Sequence, residues 1–196
     1  MRNLTLLITI AFLFACKGAD KGNSDTKEYL SHEDMPNAST VYETIVTTNV
    51  TDNTALLTFL QEKLKKADFR FEEAKDRGGW SYNNCEDNKI ISVEGKGIRS
   101  YFSRSNKPES GTKDIYPDFY ILIYEFPTKD IAQKNYETIY NALYSRGAFC
   151  NGKAPEKLVI NGNEIFHLST RAEMFRTYTE RYGDLIQNFG KRSKIN

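Results

Sequence analysis

The chain is short of the residues from which most active centres are built. Its 196 residues include 3 Cys and 2 His. His32 stands beside Glu33 and Asp34, and adjacent side chains alone do not close a metal coordination sphere. Neither His-Glu-x-x-His nor Gly-x-Ser-x-Gly occurs. Glu86-Asp87-Asn88 lacks the alternating ligands and central Gly of a calcium loop. Gly95-Lys96-Gly97 turns between two strand-like runs and opens no helix, so it is no phosphate loop. No cofactor is implied. An excess of charge of one sign is also missing: 27 basic and 26 acidic side chains leave a formal net charge of +1. The total therefore makes no electrostatic case for a nucleic acid or an anionic lipid. There is no internal repeat of fixed period. A membrane-spanning run is absent too, since the apolar stretch Leu4 to Phe14 is shorter than the about 20 residues a bilayer needs.

That short stretch nevertheless organises the chain. Met1-Arg2 places one positive charge ahead of it, and small residues follow it, the pattern of a secretory signal peptide. It has no polar face, which argues against a buried core helix. Leu13-Phe14-Ala15-Cys16 resembles the lipobox of bacterial lipoproteins, with an aliphatic residue three before the Cys and a small one just before it. Phe14 stands where that family usually carries a small residue. The resemblance covers residues 1–16. It implies cleavage before Cys16, diacylglycerol on the Cys16 thiol and often a further acyl chain, such as palmitate, on the new amine. Two or three chains anchor stably, because each buried methylene contributes about 0.8 kcal/mol. The expected location is the cell envelope, at the outer membrane, facing the periplasm or the cell surface. Lys17 and Asp20 loosely resemble the charged residues that influence surface delivery in some such lipoproteins.

Residues 1–15 thus read as signal peptide and residues 16–38 as lipidated Cys and flexible tether. From Lys17 to Lys27 no large apolar residue occurs, so burial cannot offset the entropy of ordering. Residues 39–196 read as a single domain of a size that supports a real core. Lipidation of Cys16 leaves Cys85 and Cys150. An even pair in an exported domain suggests a disulfide, and closing so long a loop stabilises by about 4 kcal/mol in the chain-entropy model. Two free thiols are the alternative.

Hydrophobic spacing gives the elements. Val41 to Val50 is rich in β-branched residues and reads as a strand. Leu56, Leu60, Leu64, Ala67, Phe71 and Ala74 share one helical face, predicting a helix from Thr54 to Asp76. The Phe69/Phe71 alternation allows a competing strand at its end. Trp80 to Asn88 reads as a polar loop. Lys89–Glu94 and Ile98–Arg104 read as a hairpin. Asp118 to Phe126 is apolar on both faces and should be a central strand covered on each side. Thr128 caps a helix whose buried stripe is Ala132, Tyr136, Ile139 and Leu143. A second hairpin turns at Asn161-Gly162, which sets Glu156 opposite His167. A last helix runs from Arg171 to Asn188. The sum is an α+β domain with a mostly antiparallel sheet in βββαββα order, packed helices, and a helix ahead of them.

Two groups of residues are candidates for a site. His167 and Glu156 form a His–carboxylate pair, suited to acid/base work or to simple cross-strand pairing. Trp80, Tyr101, Tyr116, Tyr120 and Tyr124 either line a groove for a glycan, peptide or apolar ligand, or pack as core. The expected function is a lipid-anchored envelope module that binds a protein, glycan or small molecule without catalysis. The alternatives are an envelope hydrolase using His167 and Glu156, or an immunity or inhibitor protein.

Overall fold

The computed structural model describes residues 40–50, 53–74, 79–145, 150–152 and 154–191. Cys16, the signal peptide and the tether lie outside the described residues. In chain order the elements are β1 (Val41–Thr47), α1 (Thr54–Lys66), β2 (Phe69–Glu73), β3 (Trp80–Asn84), β4 (Lys89–Gly95), β5 (Ile98–Ser105), β6 (Asp118–Glu125), α2 (Lys129–Leu143), β7 (Glu156–Asn161), β8 (Glu164–Ser169) and α3 (Arg176–Gln187). A short 3-10 turn, Glu173–Phe175, leads into α3.

Strand β6 is the spine, as its two apolar faces require. It lies in the middle of a five-stranded antiparallel sheet of order β2-β5-β6-β8-β7. Phe119, Ile121 and Ile123 point to one side, where they meet Leu56, Leu60 and Leu64 of α1 and Tyr182 and Ile186 of α3. Leu122, Tyr124 and Phe126 point to the other, where they meet α2 through Ala132 and Ile139 and a three-stranded sheet through Tyr82, Ile91 and Val93. Each fully buried leucine of the α1 stripe contributes about 2 kcal/mol. The smaller sheet has order β1-β4-β3, with β1 parallel to β4 and β3 antiparallel to it. The domain is α+β and mostly antiparallel, in three layers around two cores.

Besides the last helix, which begins at Arg176 after its 3-10 turn and not at Arg171, four details differ from the sequence reading. Helix α1 stops at Lys66, not Asp76. Asp68 takes a left-handed φ of 64°, which ends the helix, and Phe69 and Phe71 then alternate as β2 against β5. Trp80–Asn84 is a strand rather than a loop. Tyr82 and Asn84 point inward while Ser81 and Asn83 face solvent, so its polarity is that of a half-exposed edge. The expected hairpin between β4 and β5 does not exist, because the two strands belong to different sheets. Gly95–Gly97 carries the chain across, with Thr48 N donating to Glu125 O at 3.0 Å and Glu125 N to Gly97 O at 2.9 Å. A Cβ on Gly97 would stand 2.8 Å from the Glu125 carbonyl oxygen, so the crossing needs glycine there. Finally, the β7–β8 turn is Gly162-Asn163, and Glu156 lies opposite Ser169. Positive φ falls on Gly162 alone, the pattern of a type II′ turn. No helix among the described residues is long and apolar enough to cross a membrane.

Candidate functional site

The C-terminal end of β3 and the C-terminal end of α2 are drawn together at one corner of the domain. Cys85 and Cys150 form a disulfide there, with Cα atoms 6.0 Å apart. Asn151 reinforces it. Its Nδ2 donates to the carbonyls of Ala142 and Asn83, both at 2.8 Å, and its Oδ1 accepts from Asn83 N at 2.7 Å. The first of these bonds joins Ser145 N and the Ser145 hydroxyl on one of the last carbonyls of α2. Beside this corner opens a cleft of about 540 Å3, lined by Tyr144, Ser145, Asn151, Glu156, Glu173 and Arg176. Arg176 is held by Glu173 in a two-pronged pair, at 2.6 and 2.9 Å. That pairing lifts the arginine further into its charged range and lowers the Glu173 carboxyl.

Glu156 links the cleft to a buried polar chain. Its carboxylate lies 3.6 Å from Nε2 of His167, which is completely enclosed. The other ring nitrogen, Nδ1, is 2.9 Å from the Tyr82 hydroxyl, and that hydroxyl is 2.7 Å from the Tyr124 hydroxyl. Burial pushes both tyrosines well above their ordinary value of 10, so both stay protonated at neutral pH. The two phenols and Nδ1 thus form one buried chain of two hydrogen bonds, whose donor direction follows the imidazole tautomer, while Nε2 faces Glu156. The two-residue shift in hairpin register leaves the expected pair intact, because it keeps His167 and Glu156 on one face as diagonal neighbours. His167 does not reach the cleft, however. A general base must approach the proton that it takes, and this imidazole is fully buried behind Glu156, with Trp80 and Tyr82 packed on its ring.

The five aromatics named from sequence do not meet in one groove. Tyr124 is core, and Trp80 packs edge-on against His167. Tyr120 lies against Phe102, with ring centres 4.7 Å apart, and Tyr116 lies beneath the Arg104 guanidinium at 5.3 Å. Tyr101 faces the opposite side of the sheet, stacked on Phe71 at 4.8 Å. The exposed aromatic ridge is elsewhere, on α2. Tyr136, Tyr140 and Tyr144 form a ladder with ring centres 5.7 and 4.6 Å apart. Tyr140 and Tyr144 are each 44% exposed. Tyr144 walls the first cleft and also a second of about 340 Å3, which Asn84, Asp87, Tyr140 and Asn141 complete. The signal for this ridge was the i, i+4, i+8 spacing of the three tyrosines, of which only Tyr136 falls on the buried stripe.

A second polar cluster is structural. Glu125 and Glu164 face each other across β6 and β8, and both are almost fully buried. Arg99 pairs with Glu164, and Asn53, at the start of α1, donates to Glu164 Oε2 at 2.6 Å. Burial raises the Glu164 carboxyl above its ordinary value of 4.5, and the neighbouring Glu125 adds to this, while Asn53 and Arg99 act against it. The cluster ties the start of α1 to the central sheet. Among the described residues no group of three or more His, Cys, Asp or Glu is arranged to hold a metal. No family model, curated protein or solved structure matches the chain.

Proposed function

We propose that this is a lipid-anchored binding module of the bacterial cell envelope, held by Cys16, which takes its ligand along the Tyr140–Tyr144 ridge. The location rests on the Leu13-Phe14-Ala15-Cys16 sequence and on a cross-linked pair of the kind that persists outside a reducing cytosol. The observation that carries the binding reading is Tyr144. A large, half-exposed ring stands between two polar clefts, on a helix end fixed by a disulfide and by Asn151. Aromatic rings held rigidly beside amides and carboxylates supply contact area at low entropic cost. The adjoining polar chain supports binding over hydrolysis, since its imidazole is enclosed behind the cleft wall.

Site-specific photo-crosslinking tests this. A benzophenone side chain in place of Tyr144 is expected to capture a discrete envelope component in living cells, while the same probe at Lys96, on the distant crossing turn, captures none. Equal labelling from both positions, or from neither, would overturn the assignment of the ridge.

A further inference from the structure

The near-zero total charge conceals a local excess. Helices α1 and α3 pack antiparallel over the central sheet, and a continuous seam runs between them. At one end Phe59 meets Phe189, with ring centres 5.2 Å apart, and together with Leu185 they border a cleft of about 370 Å3. At the other end Lys63, Lys66 and Arg181 converge from the two helices on an adjoining cleft of about 430 Å3. No carboxylate lines the basic cleft. The one carboxylate lining the apolar cleft, Asp184, is already held by Lys157 at 2.6 Å. Among the described residues none of the three cations has a carboxylate partner. The Lys63 ammonium lies 5.2 Å over the Phe59 ring, so its stem follows the apolar wall toward the cleft.

A basic cleft alone suits any anion. A basic cleft continuous with an aromatic-walled apolar one suits an anion with a hydrocarbon attached. We propose that the α1–α3 seam binds an anionic phospholipid at the membrane surface, its phosphate among Lys63, Lys66 and Arg181 and its upper acyl chain against Phe59, Leu185 and Phe189. The inference rests on the membrane-anchored reading and adds a second contact, which would lay the domain on the bilayer. Juxtaposed lysines and arginines attract anionic headgroups, each by a factor of roughly five in association.

Hydrogen exchange on the acylated full-length mature protein tests this in nanodiscs of phosphatidylcholine, with and without phosphatidylglycerol. Peptides from α1 and α3 are expected to exchange several-fold more slowly in the discs with phosphatidylglycerol. The triple variant Lys63→Ala, Lys66→Ala, Arg181→Ala should abolish the difference, and Lys63→Ala alone should reduce it. These side chains are exposed and alanine favours helix, so the fold should survive, as thermal melting would verify. Equal exchange in both discs, protection that persists in the triple variant, or the same protection from inorganic phosphate alone would each overturn the proposal. Failure of the anchor is a separate outcome: the protein would then leave phosphatidylcholine discs altogether, while protection by phosphatidylglycerol would still report on the seam.

Discussion

Replacing Cys85 and Cys150 together by Ser is expected to lower the unfolding free energy by about 4 kcal/mol. The bond joins residues 65 apart in sequence, and a loop of that size restricts the unfolded chain strongly. The effect should appear in urea as a lower midpoint with a steeper slope, because the denatured chain expands once the cross-link is gone. The native corner should loosen as well. Asn151, which the disulfide holds against the end of α2, would lose its neighbour's restraint, and the cleft wall at Ser145 and Asn151 would exchange faster. A loss below about 1 kcal/mol would mean that the Asn151 hydrogen bonds, not the covalent bond, close this corner.

Arg99→Met is expected to lower stability by about 3 kcal/mol at neutral pH, near the lower end for breaking a buried ion pair because Arg99 is itself 26% exposed. The substitution keeps roughly the volume and leaves the Glu164 carboxylate with Asn53 alone. The loss should depend on pH in a definite direction. Burial raises the folded-state value of Glu164, so the folded protein binds this proton more tightly than the unfolded chain does. Its contribution is fully present below the ordinary value of 4.5 and is lost as pH rises through the folded value. Removing Arg99 raises that folded value further. Stability of Arg99→Met should therefore recover more than that of the wild type as pH falls from neutral toward 4.5. Asp68 and Glu173 shift the opposite way, so their stabilisation is lost only as pH falls below their ordinary values and leaves this window clear. Adding Glu164→Gln should remove the extra slope. Parallel pH profiles for wild type and Arg99→Met would show that the pair carries no such linkage.

The parts of the fold legible in sequence were those where local and global preferences agree. Strand β6 announced itself because a strand apolar on both faces has one place to go. Helix α2 did so because Thr128 caps it, accepting from Ile131 N, ahead of a clear stripe. The errors arose where long-range pairing outweighed local pattern. Phe71 fits the face of α1 by spacing, yet β5 offers Phe69 and Phe71 an open edge and Asp68 turns the chain toward it. Asn161-Gly162 is a strong turn signal, but Asn161 is used elsewhere. Its Nδ2 donates to the Ile186 and Phe189 carbonyls and closes the end of α3. Asn163 donates to the Phe126 carbonyl, which fixes the slipped register from the other side. Neither tie is visible from a hairpin considered alone.

For the candidate site the balance was similar. The disulfide followed from cysteine count, and the His167–Glu156 proximity followed from strand alternation, which survives an even slip. The cleft itself was hidden, because it depends on where α2 ends relative to β3. The ridge was hidden for another reason: tyrosines at helical spacing suit a core as well as a surface, and only burial separates Tyr136 from Tyr140 and Tyr144. The basic seam was masked by summation. Counting charges over the whole chain cancels Lys63, Lys66 and Arg181 against acids that do not line their cleft.

Intact-mass spectrometry of the protein purified from native envelopes tests the central claim most directly. The expected species starts at Cys16, carries diacylglycerol on that sulfur with or without an amide-linked acyl chain, and is two hydrogens lighter than the reduced form, one lost from each of Cys85 and Cys150. A chain that still begins at Met1, or one whose Cys16 thiol is unmodified, would contradict the anchor and with it the envelope location.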